Sequence, residues 1–199
     1  MNLVISGPSG AGKGLIINHL LGEGVFKKSV SFTTRKMREG EVNGLNYYFV
    51  SKDVFNELKN NGFFFETVEY GGNYYGIPIR NISLVKSSDN TIFDLVPTSG
   101  INLKKCFCNT CLLYVIPPTE EILRARRGDR GDNRVSYDIK ELELARANYD
   151  YLIINGDINE TMRQVHNVID VFQNNSMLNQ NDFLDNYFNE REKVRKLVR

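Results

Sequence analysis

The sequence is short of several things, and each shortage removes a class of protein. It has almost no net charge: 25 Lys and Arg stand against 24 Asp and Glu, a formal +1. A strongly basic face of the kind that grips nucleic acid is therefore not expected. No apolar run is long enough to span a bilayer, so a helical membrane protein is not expected either. The N-terminus lacks a basic start and a small-residue cleavage site. Met1 leads straight into a strand-like run, so no secretory signal is read and the expected compartment is the cytoplasm. Cysteine is scarce and odd in number: Cys106, Cys108 and Cys111. That count argues against a disulfide framework. The spacing C-x-C-x-x-C offers half of a metal site, but no second pair follows, and His19 and His166 lie far off in sequence. These residues are read as buried or half-buried thiols near a strand, and no protein side chain is assigned as a metal ligand.

What is present reads as a folded domain. With 199 residues, 41% hydrophobic and 25% charged, the chain suits one domain carrying a small insertion and a tail. Four apolar runs have the continuous character of strands buried on both faces: NLVIS (2–6), TIFDLV (91–96), CLLYVI (111–116) and YLIIN (151–155). Helical patterns fall at 15–21, 101–107, 119–127, 137–148 and 159–172. Alternation of this kind predicts an α/β fold, a parallel sheet flanked by helices. Residues 31–80 differ, being rich in aromatics and glycine. They predict a small mixed or antiparallel insert with a helix near 52–61 that Gly62 ends. Beyond 172 comes a polar linker, and 183–199 reads as a charged, loosely docked helical tail.

The chemistry begins at GPSGAGKG, residues 7–14. The pattern G-x-x-x-x-G-K sits between a strand and a helix, the context that a phosphate-binding loop needs. Glycine lets backbone N–H groups converge on phosphate oxygens, and the helix N-terminus adds the positive end of its dipole. Gly7, Pro8, Ser9, Gly10, Ala11, Gly12, Lys13 and Gly14 are therefore candidates to bind a nucleotide triphosphate, with Lys13 reaching its outer phosphates. Gly14 stands where this motif usually has a hydroxyl that touches Mg²⁺. Mg²⁺ keeps several waters, so it is expected to be held mainly by the nucleotide phosphates and water.

A second anion site is read in the insert. Arg35 and Arg38 lie three apart, and Tyr47 and Tyr75 follow. Two guanidinium forks and two phenols make a cradle for a phosphate dianion. Ser31 precedes this pair and Glu66 follows an aromatic run. A carboxylate can accept from N1–H and the 2-amino group of guanine, a donor pair that adenine lacks.

Taken together, GPSGAGK (7–13), SFTTRKMREGEVNGLNYYFV (31–50), FFE (64–66), GGNYYG (71–76), the strand ending at Asp94, RARRGDRG (124–131) and YDYLIIN (149–155) resemble the guanylate kinase family over residues 2 to about 172. The resemblance implies transfer of the γ-phosphoryl of ATP to GMP by a monomer or homodimer. It implies that Arg35, Arg38, Tyr47 and Tyr75 hold the GMP phosphate and that Ser31 and Glu66 read guanine. Lys13, Arg35, Arg126 and Arg130 would act on the transferring group, the last two from a lid over about 124–136. Asn155 would lie on the adenine side. The implied domain runs 1–174, with a core of 1–30 and 81–174, a GMP-binding insert of 31–80, and a tail of 175–199.

Four positions depart from the family pattern. Gly14 replaces Ser or Thr. Ile77 replaces a small hydroxyl residue, Val96 replaces an Asp, and Glu141 stands near where a further Arg is expected. Two of these fall on base recognition, so guanine preference is expected to weaken before it vanishes. They also keep two alternatives open: a noncatalytic guanylate kinase-like module that binds GMP or phosphopeptides, and a kinase for another nucleoside monophosphate.

Overall fold

A computed structural model describes residues 1–86, 90–128 and 135–174, and the side chains of all of these except 83–86 and 135–139. The expected tail at 175–199 and the expected lid residue Arg130 lie outside the described residues.

The main sheet has five parallel strands in the order β2-β7-β1-β8-β9. They are β1 (Asn2–Ser6), β2 (Phe26–Ser29), β7 (Asn90–Asp94), β8 (Thr110–Ile116) and β9 (Tyr151–Ile154). Every residue of β1 and β8 is buried, because helices cover both faces of the sheet. One side carries α1 (Lys13–Gly22) and α7 (Ile158–Gln173), with Ile16, Leu20, Val165 and Ile169 packed on Leu3, Ile5, Leu113 and Ile153. The other side carries α4 (Pro97–Cys106) and α6 (Val135–Asn148) over Val4, Phe93, Leu112 and Tyr114.

The insert is a four-stranded mixed sheet in the order β4-β3-β6-β5. β3 (Phe32–Thr33) runs parallel to β4 (Tyr48–Phe49) and antiparallel to β6 (Asn73–Pro78), which pairs antiparallel with β5 (Phe64–Tyr70). α2 (Lys52–Asn60) packs on it through Phe55, which is wholly buried. Phe32, Tyr48, Phe55, Phe63, Phe64 and Tyr74 serve this small core. Phe32 stacks on Tyr48 at 4.6 Å, and Phe55 stacks on Phe64 at 4.7 Å and on Tyr74 at 5.7 Å. Strand alternation then turns the neighbouring Tyr75 to the opposite face, 6.0 Å from Tyr47.

The structure corrects the sequence reading in places. α4 begins at Pro97 rather than 101. Pro-Thr-Ser-Gly resembles a turn, but proline is well suited to the first helical position. Gly100 lies inside this helix because a Cβ there would come within 2.6 Å of the Tyr149 hydroxyl and 2.9 Å of Val4. β2 was not expected: Phe-Lys-Lys-Ser is short and half charged, and it survives as an edge strand. α3 (Ile79–Lys86) was also missed, directly after Pro78. Of the three cysteines, Cys111 is buried as expected, whereas Cys106 and Cys108 are exposed at the end of α4. Burial pushes the Cys111 thiol pKa well up. Among the described residues no group of three or more His, Cys, Asp or Glu is placed to hold a metal, and no helix is long and apolar enough to cross a membrane.

Candidate active site

One cleft of about 460 Å³ runs from the glycine loop to the insert. It lies outside the carboxyl ends of β1 and β7, where ligands of open parallel sheets bind.

The loop between β1 and α1 needs its glycines. Gly7 has φ +146° and Gly12 has φ +88°. A Cβ on Gly7 would collide with the Val115 carbonyl, and one on Gly12 with the Asn155 amide. No side chain caps α1, which leaves its N-terminus to an anion. Lys13 folds back across the loop, its Nζ donating to the Gly7 carbonyl at 2.6 Å. Gly14 is exposed, and a Cβ there would meet nothing within 4 Å.

Two residues from the far end of the domain, Asn155 and Arg127, hold this loop by its carbonyls. Asn155 is 3% exposed, and its Nδ2 donates to the Ala11 carbonyl at 2.8 Å. The Thr161 hydroxyl donates to Asn155 Oδ1 at 3.3 Å, and Arg126 donates to the Asn155 carbonyl at 3.0 Å. Arg127, which sequence reasoning passed over, is buried and donates from Nε to the Ser9 carbonyl at 3.1 Å. The structure thus places Asn155 beneath the loop. Arg126 is in the cleft wall at the end of α5 (Glu120–Arg127).

The insert supplies the opposite wall. Arg35, 9% exposed, makes a two-pronged ion pair with Glu41 at 2.7 and 3.0 Å, and Glu41 also accepts from the Arg38 backbone N–H at 2.7 Å. Burial works to raise the Glu41 pKa. The Arg35 hydrogen bonds, the Arg38 N–H and the two positive charges outweigh it, and the net direction is down. The Arg35 guanidinium also sits 5.6 Å from the Tyr47 ring and 5.4 Å from that of Phe49.

Tyr47 donates its hydroxyl proton to Asp94 at 3.0 Å. Burial, the Asp94 charge and this hydrogen bond hold its phenol well above the usual range. Lys28 lies over the same ring at 5.8 Å and donates to the Leu45 and Asn46 carbonyls at 3.0 Å each. Burial lowers the Lys28 pKa, against the pull of Asp94 and Glu41. Arg38, Tyr75, Ser31 and Glu66 complete the expected set in the cleft, joined there by Lys28, Glu41 and Asp94. Glu41 was legible only as part of the string that carried the family resemblance, and nothing local marked Lys28.

Elsewhere in the cleft wall, Ser31 is buried and Glu66 presents one oxygen to Asn102. Ile77 pairs across the strands with Glu66, and Ile77, Val96 and Glu141, three of the positions that depart from the family pattern, all line the cleft.

Comparison with known proteins finds relatives of one family. A family model described as guanylate kinase matches residues 1–172. The chain is 35% identical over 176 residues to a guanylate kinase of Clostridioides difficile (strain 630), covering 84% of this chain and 85% of that protein. Its fold matches the crystal structure of guanylate kinase from Anaplasma phagocytophilum with a TM-score of 0.72 and 30% identity, over 97% of this chain and 95% of the other.

Proposed function

The chain belongs to the guanylate kinase family, and from that premise we propose how its own side chains carry the γ-phosphoryl group from ATP to GMP, giving ADP and GDP. The observation that carries the proposal is one continuous cleft with a glycine loop on one wall and an arginine–tyrosine cradle on the other.

Residues 7–14 hold the ATP phosphates through backbone N–H groups, and Lys13 extends from its carbonyl contacts toward the outer phosphates. Arg35, Arg38, Tyr47 and Tyr75 hold the GMP phosphate. Glu41 orients Arg35 for this, so that the fork is set before the anion arrives. Tyr47 exchanges its Asp94 acceptor for a phosphate oxygen. Ser31 and Glu66 take the base. Arg126, with Arg130 from outside the described residues, brings fixed positive charge to the equatorial oxygens as charge spreads over them. The acceptor phosphate is already ionised, so no strong general base is required, and closure excludes water from the transfer.

The family generally uses ATP with a divalent metal, and the donor set here fits a hydrated cation. Open space at Gly14 leaves room for a hydration shell, and the Asp94 carboxylate is in the cleft wall. Asp94 would hold Mg²⁺ through water, and the ion would neutralise phosphate charge. Domain limits of 1–174 with the insert at 31–80, and a cytoplasmic site of action, belong to the same proposal.

A coupled assay with ATP, Mg²⁺ and each nucleoside monophosphate, beside Lys13→Ala and Arg38→Ala, tests it. GDP formation lost in both variants supports the reading. Turnover of another monophosphate in preference to GMP would change the acceptor. GMP or phosphopeptide binding without turnover, unaffected by Lys13→Ala, would make the protein a binding module.

A further inference from the structure

We propose that Asn102, on α4, is a positioning residue that sets base specificity by fixing the Glu66 carboxylate. The inference rests on the reading of Glu66 as the acid that faces guanine.

Asn102 Nδ2 donates to Glu66 Oε1 at 2.7 Å across 36 residues of sequence. Glu66 Oε2 is buried and has no hydrogen-bond partner among the described residues. A buried acceptor without a partner costs free energy that a ligand donor can recover. The terminal torsion of a glutamate is soft, so a carboxylate tied at neither oxygen samples many orientations. Tying Oε1 from α4 fixes the plane of the group and thereby the direction of Oε2. Its cross-strand partner Ile77 is apolar and buried and offers it no tie.

This arrangement carries more weight here because Ile77 and Val96 stand at positions where the family reads the base with polar groups. Discrimination then falls on the N1–H and 2-amino edge. Guanine presents both donors to Glu66, hypoxanthine only N1–H, and adenine neither. A carboxylate held in one plane distinguishes one donor from two. A loose one follows whatever it is offered.

The test uses the full-length protein in a coupled assay with ATP and GMP, IMP or AMP as acceptor. Asn102→Ala is compared with Asn102→Gln, Asn102→Asp and Glu66→Ala. Asn102 is solvent-exposed, so Asn102→Ala is expected to keep the parent thermal midpoint. Loss of one charge-assisted hydrogen bond predicts a KM for GMP raised about tenfold, with kcat within about twofold and KM for ATP unchanged. The GMP-to-IMP preference should narrow about fivefold by the same reasoning. Asn102→Gln should restore part of the effect, and Asn102→Asp, which sets an acceptor against an acceptor, should be worse than alanine. Parent values of KM and of the GMP-to-IMP ratio in Asn102→Ala, with both changed in Glu66→Ala, would overturn the role of Asn102 alone. An unchanged ratio in Glu66→Ala would overturn the reading of Glu66 beneath it. A uniform fall in kcat for every acceptor, or a raised KM for ATP, would mark Asn102 as merely structural and overturn the proposal.

Discussion

The two walls of the cleft are organised on different principles. The glycine loop is shaped by backbone. Its turns need positive φ, its glycines are packed against other main-chain and amide groups, and its clamps from Asn155 and Arg127 end on carbonyls. The insert is shaped by side chains, with Glu41 under Arg35, Asp94 under Tyr47 and Asn102 under Glu66. A backbone site fails as a unit when one residue is changed. A side-chain site loses its functions one partner at a time. That difference orders the expected effects of mutation.

The largest effect belongs to the loop. Gly12→Ala forces a Cβ into the Asn155 amide at a positive φ. GDP formation in the coupled assay should fall at least about 1,000-fold, as loss of several preorganised phosphate donors together implies. An active Gly12→Ala would break the comparison outright. Next comes Glu41→Ala, which strips the buried Arg35 of its half-buried partner. Its KM for GMP should rise about 10- to 100-fold, the scale of a broken buried charge pair, while KM for ATP stays near the parent value. A matching rise for ATP would show that the walls are not independent.

Asn155→Ala should lower stability by about 1–3 kcal/mol in thermal or denaturant unfolding, since the buried Ala11 carbonyl loses its donor. It should raise KM for ATP more than KM for GMP. Tyr47→Phe removes one phenol hydrogen bond, and KM for GMP should rise about 3- to 10-fold. The smallest effect is in pH. The folded pKa of Glu41 is depressed, so its contribution to stability is fully present above the ordinary glutamate value and is lost as pH falls through the lower, folded value. Comparing the parent with Glu41→Gln in unfolding experiments over that acid range should show this share of the pH dependence vanish in the variant.

The same contrast explains what the sequence made legible. The loop was readable because backbone demands write themselves as glycine at fixed spacing. The central strands were readable because burial on both faces demands continuous apolar runs, as in CLLYVI. Lys-Lys in β2 hid an edge strand, and Pro-Thr-Ser-Gly hid the first turn of α4. In the insert, Arg35, Arg38, Tyr47, Tyr75 and Glu66 were legible as residue types that suit a phosphate and a purine. Their partners were less so. Asp94 reaches Tyr47 across 47 residues, Asn102 reaches Glu66 across 36, and Arg127 reaches Ser9 across 118. No local pattern encodes a contact of that span. Asn155 is the instructive case: its position was flagged from the family string, yet its amide bonds, made beneath the loop, appear only in three dimensions.

The bonds across the loop also have a consequence in time. The first dozen residues leave the ribosome early, but Ala11 waits for Asn155, 144 positions later, and Ser6 waits for Tyr149, 143 positions later. β1 likewise has no neighbour until β7 and β8 are synthesised. A nascent chain therefore owns no finished triphosphate pocket until translation has nearly run through the domain, and retention on an ATP resin would report a complete polypeptide rather than a growing one.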